Sequence, residues 1–222
     1  MSFKINKYIL IKNALSKEMC NFLYGYFYFK RNVFIKYLKD RFISPYQTDW
    51  GNFGGGPPKT SYVDSPSGEV YSHYSDLAME TLLEKMRPLM EKQTGLKLYP
   101  TYSFARIYKK GDVLRRHIDR YACEISSSLC LGGDKWPIYI DSSKTPKGKK
   151  KVTINMEQGD MVIYRGCELP HWRTKFKKKE CCQVFLHYIE KGSQKAEENK
   201  YDRRDCLGVS SFLRKGSKYH VG

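Results

Sequence analysis

Beyond Gly95 the apolar residues stop recurring at three- and four-residue steps and fall into short runs, and this change of period constrains the fold more than any other feature. The runs cover 96–99, 102–108, 123–131, 136–140, 151–156, 160–164 and 182–189. Turn sequences divide them: Lys109-Lys110-Gly111-Asp112, Gly132-Gly133-Asp134, Thr145-Pro146-Lys147-Gly148 and Gln158-Gly159-Asp160. Many short strands punctuated by such turns form a sandwich or a barrel. A barrel of about eight strands encloses one small ligand, and that is the expectation for 96–190.

The first 95 residues read differently. Tyr8-Ile9-Leu10-Ile11 suits a buried strand, and Ser16 can cap a helix whose first turn carries Glu18. Apolar residues at Met19, Phe22, Leu23, Tyr26, Phe27, Val33, Phe34, Tyr37 and Leu38 predict one amphipathic helix or two. Residues 44–68 are rich in glycine and proline and read as a long loop that contributes to substrate choice. Ser75-Asp76 opens a second helix over 77–93, kinked at Pro88 and stopped by Gly95. The expected organisation is one structural domain, mainly β with N-terminal helices (α+β). Residues 1–95 pack on a core at 96–190, and 191–222 form a basic C-terminal tail.

Composition excludes several classes. No apolar stretch approaches the roughly 20 residues that span a bilayer, and the start Met1-Ser2-Phe3-Lys4 has no secretory signal. Seven cysteines without framework spacing fit a reducing compartment, so the expected location is the cytoplasm, with the nucleus also open. The net charge of +17 gathers in lysine runs at 144–151 and 175–179 and in the last 25 or so residues. Such a field attracts polyanions or acidic substrates; a solvated, solubilising surface explains it equally well.

Chemistry concentrates at His117, Asp119 and His171. Residues i and i+2 of an extended segment share a face, so His117 and Asp119 can hold one metal while Ile118 packs away. His171 follows the apolar run 161–164 and would supply a third ligand from another strand. Two imidazoles and a carboxylate can occupy one face of a ferrous ion and leave the other positions open. The same donors also suit a hydrolytic zinc site.

With these residues in place, the chain resembles the prolyl-4-hydroxylase-like branch of the iron(II)- and 2-oxoglutarate-dependent oxygenases. Phe104-Ala105-Arg106-Ile107-Tyr108-Lys109-Lys110-Gly111-Asp112, leading into Arg116-His117-Ile118-Asp119, is similar to the family's strand, turn and metal-binding step. The stretch Gly159-Asp160-Met161-Val162-Ile163-Tyr164, then His171, then Gln183 to Tyr188, continues the likeness. The wording around Pro100-Thr101-Tyr102-Ser103 and Pro170-His171-Trp172-Arg173 looks like a viral and microbial subgroup with few assigned substrates. The resemblance implies a double-stranded β-helix with iron, Fe(2+), inside it. It also implies a dioxygenase that couples oxidative decarboxylation of 2-oxoglutarate by O2 to hydroxylation of a C–H bond. Ascorbate enters as a candidate reductant. The nearest family substrate is a peptide or protein. A nucleic acid or a small acidic metabolite is the alternative substrate, and a catalytically silent metal-containing binding module is the alternative from another class.

The distal carboxylate of 2-oxoglutarate needs a buried cation. In the family a Lys or Arg stands about nine to twelve residues beyond the second histidine, whereas here the window holds Glu180, Cys181, Cys182 and Gln183. Arg173, two residues past His171 and on the same face of an extended strand, is the favoured substitute; Lys179 is the other. Tyr108 resembles the family tyrosine that hydrogen-bonds the cosubstrate. Ser126, Ser128 and Cys130 alternate along the next strand and either line the pocket or fill a tapering barrel. Arg115, Arg116 and Arg120 flank the metal step and could orient an acidic substrate. His187, alone on the last strand, reads as structural or exposed rather than catalytic.

Overall fold

The computed structural model describes residues 2–40, 52–53 and 62–216. Twelve strands among the described residues form two sheets. The core segment supplies eight of them: β5 (Leu98–Lys109), β6 (Val113–His117), β7 (Ile125–Gly133), β8 (Ile138–Ile140), β9 (Val152–Ile154), β10 (Met161–Arg165), β11 (His171–Arg173) and β12 (Glu180–Glu190). Every pairing between them is antiparallel. Four further strands precede these: β1 (Tyr8–Ile11), β2 (Asn52–Phe53), β3 (Val63–Asp64) and β4 (Tyr71–Tyr74). They extend the edges, giving the orders β1-β10-β7-β12-β5-β4-β2 and β3-β6-β11-β8-β9. The barrel of about eight strands is therefore present as the double-stranded β-helix, with N-terminal strands added outside it.

Local chemistry sets the helices. Ser16 Oγ accepts the Met19 N–H at 3.2 Å and starts α2, Lys17–Lys39, a single helix rather than two. Asp76 Oδ1 caps α3, Leu77–Thr94, by accepting from Met79 N at 3.1 Å. Gly95 ends it with φ +76°, and the helix runs through Pro88 as one element. A four-residue α1, Phe3–Asn6, precedes β1.

The larger sheet is buried on both sides. Its outer face meets α2 and α3 through Cys20, Leu23, Phe27, Met79, Leu83 and Met90 against Ala105, Ile107, Leu129, Val184 and Leu186. Its inner face carries Phe104, Tyr108 and Phe185 toward Leu114, Trp136 and Phe176 of the opposing layer. This explains why β7 and β12 read as continuous apolar or small runs rather than alternating ones.

The expected loop at 44–68 lies largely outside the described residues, but 52–53 and 63–64 are strands within it. Beyond Glu190, where a basic C-terminal tail was expected, α4 (Ala196–Asn199) and two 3-10 turns at 200–203 and 211–213 follow. Asp202 and Arg204 of this segment are buried. No helix among the described residues is long and apolar enough to cross a membrane.

Candidate metal and cosubstrate site

The pairing of β6 with β11 places His171 directly opposite His117. Their rings lie 4.3 Å apart between centroids. Asp119 follows just past the end of β6, its amide donating to Gly166 O at 2.9 Å. Its Oδ1 is 3.7 Å from His117 Nε2 and 3.6 Å from His171 Nε2, so three atoms that could hold a metal ion lie close together. Ile118 turns out to solvent rather than into packing, being 49% exposed.

Hydrogen bonds fix the direction of each donor. His117 Nδ1 lies 2.7 Å from Arg115 O, and His171 Nδ1 lies 3.0 Å from Leu169 O. A carbonyl only accepts, so each Nδ1 carries the proton and each Nε2 presents a lone pair to the centre. Burial pushes the pKa of both imidazoles down to about 4, in His117 reinforced by the neighbouring His171, so both are neutral at pH 7. Ser126 Oγ donates to Asp119 Oδ2 at 2.7 Å, leaving Oδ1 for the centre. Partners of this kind hold a ligand's orientation.

Gly166 is a tight point in this arrangement. A Cβ there would overlap the Asp119 carboxylate, the Cys123 carbonyl and the Ser126 hydroxyl. Gly166→Ala is expected to cost about 1–3 kcal/mol by overpacking and to weaken iron binding by displacing Asp119. Thermal melts and an iron titration of the variant check both effects, and wild-type values would refute the crowding.

Arg173 is fully buried on β11, on the interior side with His171, while Trp172 between them stacks on Tyr139 at 5.7 Å. Its guanidinium donates to Trp136 O, to Ser128 Oγ at 3.1 Å and to Gln183 Oε1 at 3.4 Å. All three acceptors are neutral, and Nε has no partner among the described residues. Tyr108 is also fully buried, its hydroxyl likewise without a partner there. Lys179 is exposed, and its backbone N–H donates to Asp134 Oδ2 at 3.0 Å. Thus Arg173, Tyr108 and Ser128 face the barrel interior and Lys179 does not.

A cavity of about 350 Å³ opens over the triad, with Tyr62, Tyr74, Tyr102, Phe104 and Phe185 among its walls. Tyr62 stacks on the His117 ring at 4.1 Å. His187, expected to be structural or exposed, is buried, lines this cavity and meets Ser126 Oγ through Nδ1 at 3.0 Å. With Asp119 and Cys123 it makes a second cluster of potential ligands that shares Asp119. Of the three flanking arginines, Arg115 pairs with Asp64 at 3.5 Å and Arg116 with Asp141 at 2.5 Å. Arg120 lines the cavity but is held through two 2.6 Å bonds by Asp202. Sequence reasoning passed over Arg106, which shares the inner face of β5 with Phe104 and Tyr108; the i+2 rule applied backwards from Tyr108 would have found it. Gly166 and Asp202 carried no comparable local signal.

No family model matches the sequence, and no curated protein does. Solved structures do match. A Pseudomonas putida prolyl-4-hydroxylase aligns with TM-score 0.54 at 16% identity over 86% of this chain and 96% of its own. A Trichoplax adhaerens prolyl hydroxylase in complex with a hypoxia-inducible-factor peptide fragment gives 0.57 at 16% identity, over 86% and 90%. The epimerase SnoN in complex with Fe3+ and α-ketoglutarate gives 0.58 at 10% identity, over 85% and 80%. The chain has the fold of the prolyl-4-hydroxylase-like 2-oxoglutarate oxygenases. In that oxygenase fold the triad sits inside the barrel, between the two sheets, with the buried guanidinium of Arg173 on the same side of β11 as His171.

Proposed function

We propose that this chain is an iron(II)- and 2-oxoglutarate-dependent dioxygenase that hydroxylates a C–H bond in a peptide or protein. The observation that carries the reading is Arg173. A guanidinium taken wholly out of water costs several kcal/mol unless an anion completes it, and no ion pair does so among the described residues. A zinc hydrolase with the same three ligands has no use for such a cation. The distal carboxylate of 2-oxoglutarate would take the fork of Arg173, with the Tyr108 hydroxyl and Ser128 beside it.

The missing family cation is then explained by a change of strand. Gln183 on β12 stands in the window where the family has Lys or Arg, and its side chain touches the guanidinium that Arg173 sends across from β11. His117, Asp119 and His171 would hold iron(II). With iron(II) held there, O2 would be the oxidant and 2-oxoglutarate the co-reductant, one oxygen atom passing to the substrate C–H bond and the other into succinate as carbon dioxide leaves. The chain's own part is to keep both Nε2 atoms unprotonated, hold Asp119 through Ser126, and wall the centre with aromatic rings that exclude water. The peptide substrate is supported by the two prolyl hydroxylases among the matching structures, one of them bound to a peptide.

The test is the 2-oxoglutarate requirement of succinate formation and the weak visible band of the anaerobic iron–2-oxoglutarate complex. Arg173→Met is expected to raise the 2-oxoglutarate needed for half-saturation by about thirtyfold or more, with iron affinity nearly unchanged, and Lys179→Ala to change neither. The opposite pattern would move the anchor to Lys179. A colourless wild-type mixture that forms no succinate on admission of oxygen would remove the oxygenase reading.

A further inference from the structure

We propose that Arg106 is a substrate-recognition residue that binds a carboxylate on the substrate, presented beside the carbon to be oxidised; this rests on the oxygenase reading above. Arg106 projects from β5 into the cavity that also holds His117, Asp119 and His171. Its guanidinium lies over the Phe104 ring at 4.7 Å and the Tyr108 ring at 5.5 Å, and both contacts immobilise it. It makes no hydrogen bond or ion pair among the described residues, and its Nε is buried without a partner. The nearby Asp112 carboxylate feels its charge but forms no ion pair with it; its Oδ2 accepts from Lys109 N at 2.8 Å and its buried Oδ1 has no partner among the described residues.

The contrast with its neighbours is chemical. Arg115, Arg116, Arg120 and Arg214 are each matched to an aspartate. Arg106 and Arg173 are the two interior arginines of this region left without one among the described residues. If Arg173 takes the cosubstrate's distal carboxylate, Arg106, which lines the cavity over the metal triad where Arg173 does not, is left for an anion of the other reactant. A guanidinium binds a carboxylate through two parallel bonds at a fixed distance, which would set the substrate carbon in register with the metal.

The position of the cation selects the anion. A phosphodiester has chain on both sides and stays at a rim, whereas a cation on the wall of a cavity of about 350 Å³ is reached by a terminal group on a short stem. A carboxylate fits this, as an acidic side chain in a peptide or as a small free acid. The exposed lysine runs at 144–151 and 175–179 lie outside this cavity and do not decide the matter.

The experiment titrates the full chain, loaded anaerobically with iron(II) and saturating 2-oxoglutarate, by calorimetry. The probes are acetylated pentapeptides with a central proline preceded by glutamate, glutamine or lysine, together with free glutamate and a single-stranded decanucleotide. The expected result is a preference of about thirtyfold for a glutamate-bearing probe over the glutamine peptide. That preference should vanish in Arg106→Gln and return in part in Arg106→Lys. Tighter binding by the peptide than by free glutamate identifies a peptide source, and the reverse a small acid. Equal binding of the glutamate and glutamine peptides, a preference that survives Arg106→Gln, binding of the oligonucleotide alone, or no binding of either glutamate probe overturns the proposal. The visible band separates the two layers: with the band intact, these failures remove only the assignment to Arg106, whereas a wild-type protein without it loses the oxygenase reading as well.

Discussion

Asp119→Ala is expected to abolish iron(II) binding at concentrations that saturate the wild-type protein. The carboxylate is the single anionic donor of the triad, so its loss leaves two neutral imidazoles facing a divalent ion with no protein charge to offset the cost of dehydrating it. Restoring size without charge, as in Asp119→Asn, should not rescue binding. His117→Ala should behave similarly, because His171 and Asp119 alone offer two ligands. Anaerobic titration followed by the iron–2-oxoglutarate band measures this directly, with circular dichroism to show that the barrel persists. Wild-type iron affinity in Asp119→Ala would overturn the ligand assignment and would exclude the cluster of Asp119, Cys123 and His187 as well, because both share Asp119. Binding that survived both changes would place the metal elsewhere.

Breaking the Glu80–Arg204 pair is the second change with a large expected effect, and its effect is on stability. Arg204 holds Glu80 through Nη2 to Oε1 at 2.7 Å and Nη1 to Oε2 at 3.1 Å, with side-chain exposures of 0% and 2%. The remaining capacity is used as well. Glu80 accepts from the backbone of Ser103 at 3.2 Å and from that of Gly208, and Arg204 donates to Thr101 O, Val209 O and Tyr201 O. One ion pair therefore ties α3, β5 and the C-terminal segment together. Removing one partner of such a pair strands the other charge, at a cost of about 3–5 kcal/mol. For a chain of this length that is a fall in Tm of about 6–20 °C. Glu80→Ala and Arg204→Met are each expected to show it, and Glu80→Leu combined with Arg204→Met to recover a large part. A single variant melting within about 2 °C of wild type would show that the network contributes little.

Local rules and non-local contacts divide what was legible in the sequence. Ser16, Asp76 and Gly95 act on backbone groups within four residues of themselves, so helix starts and stops could be read directly. The i+2 spacing of His171 and Arg173 likewise put both on one face, and both are buried. Pairing each element with its neighbours was not readable, because β10 sits between β1 and β7, far from either in sequence. The C-terminal segment was the least legible. Its composition marked it only as a basic tail, but Asp202 is buried among Arg120, Arg214 and the Tyr74 hydroxyl. No local pattern announces a contact spanning 82 residues. Arg106 was missed for another reason: its face was predictable, but its lack of a counter-ion among the described residues is visible only in the folded arrangement.

The cross-strand placement of His117 and His171 has an analytical use. A slip of one residue between β6 and β11 would turn one imidazole to the opposite face of its sheet, while leaving secondary-structure content almost unchanged. Spectroscopy of the backbone would not see such molecules, whereas a metal titration would. The stoichiometry of tightly held iron in a refolded preparation therefore counts the fraction of chains whose smaller sheet has paired in the native register.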